Sequence, residues 1–121
     1  METPDILFAQ DGRAVFRWAI TEAARHAQRA LEVAQIQGDE IAAFIPHQAN
    51  LRIIEPSAEQ LNLRNAIVST DVQESGNTSA ASIPLALSKL LQQHAVPSGA
   101  PLLLFGFGGG FSYAALVVAA P

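Results

Sequence analysis

Residues 44–54 read FIPHQANLRII, and the fold class turns on this stretch. Phe44 and Ile45 close a short apolar run suited to a buried strand. Pro46, His47, Gln48 and Asn50 interrupt it at once, and Leu51, Ile53 and Ile54 then resume at helical spacing. A strand that passes through polar residues into a helix is the unit of an open α/β sheet. In such sheets polar groups at the carboxyl end of a strand face the crevice where ligands bind. His47 and Asn50 fall at that position. A single histidine there serves structure more often than chemistry, so the weight rests on what the other loops bring.

Upstream, Phe16, Ile20, Ala23, Ala27, Ala30, Leu31 and Ala34 recur at helical spacing, with Asp11 as a cap and Gly38 as a stop. The alanine-rich stripe predicts a long, well-buried helix, with Trp18 off the stripe facing a second surface. Residues 41–46 form the first strand. Asn50 caps a second helix through Leu61 that contains Pro56. A proline there costs on the order of 3 kcal/mol in a regular helix and predicts a kink or a late start. Residues 66–70 make a short strand, and 71–78 a polar loop. A third helix begins at Ser79 or Ser82, tolerates Pro84 in its first turn and buries Leu87, Leu90 and Leu91. After a turn at 97–101, residues 102–107 suit a strand buried on both faces, and Gly108 to Gly110 lead into a last strand at 111–119. The order αβαβαββ predicts a mainly parallel mixed sheet with helices on both faces, its last strand antiparallel through the glycine turn.

A chain of 121 residues makes one domain, 1–121, with a genuine core. Half of its residues are hydrophobic and 15% charged, which excludes a disordered chain and implies a surface covered by a partner. The net charge of −4, without a basic stripe, argues against a nucleic-acid binder. Arg13, Arg17, Arg25 and Arg29 lie along one segment, either as a solvated helix face or as a patch for an acidic partner. The chain has no cysteine, so cysteine nucleophiles, disulfides and thiolate metal sites are not available within it. No apolar run reaches membrane-span length and no signal peptide fits, so the expectation is a soluble, cytoplasmic protein. The opening METPD reads as an arbitrary start.

Three loops follow three strand ends: His47 to Asn50, Glu74 to Ser79, and Gly106 to Gly110. The carboxyl ends of parallel strands share one side of the sheet, so these loops converge on one crevice. His47 and Asn77 each supply a hydrogen-bond donor, and the glycines let backbone amides approach a small ligand. This is the layout of an oxyanion site. The GFGGG run lacks dinucleotide-binding spacing and by itself reads as a tight hairpin. The serines lack an evident partnering base.

PHQANLRII at 46–54, GNTSAASIP at 76–84 and FGGGFSYAALV at 107–117 resemble the C-terminal half of 3-oxoacyl-[acyl-carrier-protein] synthase III, the initiating condensing enzyme of bacterial type II fatty-acid synthesis. DGRAVFRWA at 11–19 is similar to the entry of that half. The resemblance implies a thiolase-like fold of two similar halves, of which this chain is the second. It implies an enzyme whose first half carries a cysteine acylated by acyl-CoA. His47 and Asn77 then assist decarboxylation of malonyl-acyl-carrier protein, for which His47 should be neutral and should donate from the nitrogen facing substrate. The Gly109 amide joins that of the cysteine in a second oxyanion hole. Phe16 and Asn50 match positions lining the pantetheine tunnel, and Arg17 and Arg52 match basic positions near its mouth. The implied partners are the N-terminal half, acyl carrier protein, acyl-CoA and a second copy in a homodimer, with no metal or cofactor and no membrane. Glu59 and Gln60 replace the family's common lysines, and Pro56 is unusual there, which leaves carrier docking open. Relatives that make quinolones or transfer acyl groups share these signatures. The alternatives are therefore a synthase III-like acyltransferase or ketosynthase of secondary metabolism, or a non-catalytic interaction module that retains the fold. The chain alone is expected to be inactive.

Overall fold

In a computed structural model, residues 12–108 and 112–121 are described. Four strands form one sheet: β1 (Ala43–Pro46), β2 (Ile67–Val68), β3 (Pro101–Gly108) and β4 (Ser112–Ala119), in the order β2-β1-β3-β4. β1 is parallel to β2 and to β3, whereas β3 and β4 pair antiparallel over their whole length. The helices are α1 (Gly12–Trp18), α2 (Ala24–Ala34), α3 (Leu51–Gln60), α4 (Val72–Ser75) and α5 (Ser82–Gln93). The mixed, mainly parallel sheet and its antiparallel last strand match the sequence expectation.

Strand alternation divides the core in two. Phe44, Leu103, Phe105 and Phe107 pack with Ala19, Ala23, Ala27, Leu31 and Ile53, so α2, α3 and the segment before α2 cover one face. Ala43, Ile45 and Leu102 pack with Ala86 and Leu90 of α5 on the other. All four residues of β1 are buried, as befits a strand with a neighbour on each side and helices above and below. Leu87 and Leu91, expected on the buried side of α5, are only half-buried, and Ala86 takes the central place.

The first helix differs from expectation in its middle and at its end. Between α1 and α2 the backbone is π-helical at Ala19–Ala23, where the Thr21 hydroxyl donates to the Arg17 carbonyl at 2.6 Å. A side chain that competes for a helical carbonyl loosens the regular ladder, and a π turn inserts a residue and rotates the face that follows. Trp18 consequently packs on the same core as α2 and meets Phe107 edge-on, with ring centroids 6.2 Å apart. The helix stops at Gln35 rather than Gly38. Gln35 is left-handed (φ 58°), and the amides of Gln35 and Ile36 donate to the carbonyls of Glu32 and Leu31. Gly38 is needed for a different reason: a Cβ there would collide with the Leu61 carbonyl oxygen. Asp11, the expected cap, lies outside the described residues.

The helix after β1 starts where the sequence placed it. The Asn50 side chain accepts from the Arg52 amide at 2.9 Å, and α3 runs through Pro56 without a late start. The polar stretch after β2 is more ordered than a loop. Asp71, 7% exposed, holds Lys89 of α5 at 2.7 Å, and Lys89 also donates to Ser75 at 2.9 Å. The Asp71 hydrogen bond, followed by the charges of Asp71 and Glu74, raises the Lys89 pKa above its ordinary value. α4 is thereby tied to α5 on either side of Asn77.

Candidate functional site

His47 directly follows β1, and its amide extends the β1–β3 pairing by donating to the Phe105 carbonyl at 2.7 Å. The ring lies edge-on to Phe107 of β3, with centroids 5.3 Å apart. On its other side Nδ1 is 2.6 Å from the hydroxyl of Ser82, the first residue of α5. Two of the three strand-end regions therefore meet at this imidazole. Burial lowers the His47 pKa from its ordinary 6.5. A neutral imidazole with Nδ1 facing a hydroxyl leaves Nε2 as the nitrogen offered to a ligand.

Gln48 holds the loop in place. It is fully buried, and its side-chain nitrogen donates to the carbonyls of Pro46 at 2.8 Å and Ser69 at 3.3 Å, while its oxygen accepts from the Val72 amide at 2.9 Å. One side chain thus joins the end of β1 to the end of β2 and the start of α4. The Gln48 backbone amide donates to Ser82 at 3.2 Å. The sequence reading found no role for Gln48 beyond its place in the polar run, and a buried glutamine beside a histidine gives no local sign of which partners it clamps.

Asn77 lies between α4 and the 3₁₀ turn Ser79–Ala81, and it is exposed. Its side-chain oxygen accepts from the Ser79 amide at 2.9 Å, which leaves its NH₂ group as the outward donor. Residues of positive φ lie on either side of Asn77, Gly76 (φ 68°) before it and Ser79 (φ 54°) after it. No hydrogen bond joins Asn77 to His47 among the described residues. Their connection is through the chain, since Asn77 precedes Ser82 by one short turn.

Phe16, Arg17, Asn50 and Arg52 come together in a separate groove of about 630 Å³, lined also by Arg13, Ile20 and Ile53. Its lining thus combines three apolar side chains, Phe16, Ile20 and Ile53, with three arginines. The Asn50 oxygen is committed to the helix cap, so its amide NH₂ is what the groove receives. The early arginine segment is accordingly split. Arg13 and Arg17 belong to this groove, whereas Arg25 and Arg29 make exposed pairs with Glu22 and Glu32, each at 3.9 Å.

Gly109 lies outside the described residues, and Gly108 ends β3 directly before it. The expectation that the serines lack a partnering base is corrected by Ser82, which stands against His47. The two positions are 35 residues apart in the chain, too far for any local pattern to pair them. Among the described residues no group of three His, Asp or Glu side chains could hold a metal ion, and no helix is long and apolar enough to cross a membrane.

Comparison with known proteins agrees with this architecture. Residues 31–120 match the family model described as 3-Oxoacyl-[acyl-carrier-protein (ACP)] synthase III C terminal. A beta-ketoacyl-[acyl-carrier-protein] synthase III of Streptomyces avermitilis is 54% identical over 94% of this chain, and the match covers 36% of that protein. The mycobacterial beta-ketoacyl-[acyl-carrier-protein] synthase III of Mycobacterium ulcerans is 48% identical over 98% of the chain, again 36% of its own length. Among solved structures, the priming beta-ketosynthase of the R1128 polyketide biosynthetic pathway superposes with a TM-score of 0.91 at 44% identity, covering 99% of this chain and 37% of that one. The 3-oxoacyl-(acyl carrier protein) synthase III of Pseudomonas aeruginosa PAO1 gives 0.87 at 38% identity, covering 94% and 35%. The fold is thus thiolase-like, and the chain spans about a third of the length of the relatives it matches. The chain belongs to the 3-oxoacyl-[acyl-carrier-protein] synthase III C-terminal family.

Proposed function

We propose that this chain is the cysteine-free C-terminal part of a condensing enzyme. That enzyme joins a cysteine-bound acyl group, delivered by acyl-CoA, to malonyl-acyl-carrier protein by decarboxylative Claisen condensation. The observation that carries this reading is the setting of His47, a half-buried imidazole at a strand end whose Nδ1 is occupied by Ser82 and whose pKa is lowered by burial. Nε2 of His47 and the NH₂ group of Asn77 donate to the thioester oxygen of the malonyl group. The bond to the malonyl carboxylate breaks, CO₂ leaves, and the electron pair moves into the thioester as an enolate that the two donors stabilise by a few kcal/mol each. The enolate carbon attacks the acyl carbonyl on the cysteine of the first half, and the thiolate departs. The Gly109 amide serves the oxyanion of this second step. The scheme calls on no cofactor.

The groove supports a path for the substrate arm. Phe16 and Asn50 take the pantetheine chain along the apolar part of the lining, and Arg17 and Arg52 attract an acidic carrier protein to its mouth. Val33, Tyr113 and Leu116, which are 72%, 45% and 60% exposed, give α2 and β4 an apolar surface. This supports packing against the remainder of the longer protein, which we place in the cytoplasm as a homodimer. A second reading, a priming ketosynthase of secondary metabolism, is favoured by the likeness to the polyketide priming enzyme. It keeps the same donors and changes the carrier or acceptor.

The test is reconstitution. The chain alone should form no acyl-enzyme and no condensation product. With a matching N-terminal half, condensation of acetyl-CoA with malonyl-acyl-carrier protein should appear. A stable complex without turnover on any malonyl-carrier acceptor would establish a non-catalytic module instead.

A further inference from the structure

The hydroxyl of Ser82 lies 2.6 Å from His47 Nδ1 and accepts the Gln48 backbone amide at 3.2 Å. Ser82 is 1% exposed and Gln48 is fully buried. A serine paired with a histidine invites a nucleophilic reading, in which imidazole takes the hydroxyl proton. Burial argues against it, because no substrate carbonyl reaches an atom enclosed between the end of β1 and the start of α5. The Gln48 amide also occupies one lone pair of the oxygen.

The remaining question is which of the two groups donates. Among the described residues, His47 Nδ1 is the acceptor that the Ser82 hydroxyl has within reach. If Nδ1 carried a proton and donated to Ser82, the serine proton would be buried without a partner, a loss comparable to that of a broken hydrogen bond. With Nδ1 unprotonated, every group is satisfied: Gln48 N–H donates to Ser82 Oγ, and Ser82 O–H donates to Nδ1. We propose that Ser82 is a positioning residue that donates its hydroxyl proton to His47 Nδ1 and so fixes the imidazole in the neutral form with its proton on Nε2. This rests on the reading of His47 as the donor to the malonyl thioester. It adds that α5, through its first residue, sets the donor polarity of a group on β1. Phe107 completes the enclosure of the ring without offering a competing polar atom.

Long-range ¹H–¹⁵N correlation on the full-length enzyme containing this domain, with the His47 signals assigned by their loss in His47→Gln, reads the tautomer directly. The expected result is a proton on Nε2 at neutral pH; a majority of Nδ1–H in the wild-type protein overturns the proposal, whatever the variants do. Titration then reads the sign. Loss of a donor to the neutral ring should raise the His47 pKa in Ser82→Ala by about half to one pH unit. The acid limb of malonyl decarboxylation should move with it. Loss of an acceptor would lower the pKa instead. Ser82→Thr, which keeps the hydroxyl, should restore the wild-type limb. An unchanged or lowered His47 pKa in a folded Ser82→Ala protein overturns the role of Ser82 alone. Full malonyl decarboxylation by His47→Ala, which leaves no donor at that position, overturns the reading of His47 on which it rests.

Discussion

His47 and Asn77 are assigned the same chemistry and occupy opposite settings. His47 is half-buried at a strand end, with Ser82 on one side, Phe107 on the other and the fully buried Gln48 behind it. Asn77 is exposed on a short turn, and the backbone amide two residues on fixes its side-chain oxygen. The difference follows from the groups themselves. An imidazole has two neutral tautomers and a cation within reach of neutral pH, so making it a dependable donor requires burial and a partner on the other nitrogen. A carboxamide always carries its donors and needs only to be turned the right way, which one backbone hydrogen bond accomplishes.

The largest effects should come from removing either donor. In the full-length enzyme, His47→Ala or Asn77→Ala should lower condensation by roughly 10²- to 10³-fold. Mass spectrometry should still find the cysteine acylated, because in the proposed scheme these residues act on the malonyl thioester. Should either variant lose acylation while malonyl decarboxylation persists, the division of labour between the halves is wrong.

Next in size is the cost of dismantling the support of one donor but not the other. Gln48→Leu strands the Val72 amide and the carbonyls of Pro46 and Ser69 in a buried place, and should cost about 3 kcal/mol or more in denaturant unfolding. Gly76→Ala meets no steric contact but forces a side chain onto a backbone of positive φ, which should cost on the order of 1–3 kcal/mol. Condensation should then fall through displacement of Asn77. An equal stability loss in the two variants would erase the contrast between a clamped loop and a strained turn.

The pH dependence should belong to His47 alone. Its folded pKa lies below 6.5, so as pH falls the unfolded state takes up the proton first. The stability contributed by the neutral ring is therefore present above that value and lost as pH drops through the window beneath it. Malonyl decarboxylation should show an acid limb in the same window. The residual activity of His47→Ala should be flat there, and Asn77→Ala should keep the limb.

The smallest effects concern charge. Arg17→Glu with Arg52→Glu should slow association with an acidic carrier protein several-fold at low salt and flatten its salt dependence, measured by stopped-flow mixing. Arg25→Ala and Arg29→Ala, which remove exposed pairs, should change stability by no more than about 0.5 kcal/mol. Equal effects on association from the two arginine sets would mean that the groove does not mark the docking site.

The sheet class, the place of His47 at a strand end, the Asn50 cap and the antiparallel last strand were all legible in the amino-acid order. Each rests on local periodicity or on a residue's own backbone and capping chemistry, which neighbours along the chain are enough to reveal. Packing in three dimensions was needed to show that the first helix passes through a π turn and stops at left-handed Gln35, and that Gly38 is required by the approach of Leu61. It also divided the arginines between a groove and solvent, and it set the Ser82 hydroxyl against His47. These are outcomes of packing between segments tens of residues apart, where space and the pairing of buried polar groups select the arrangement. A serine that opens a helix carries the same local signal whether it faces water or a histidine.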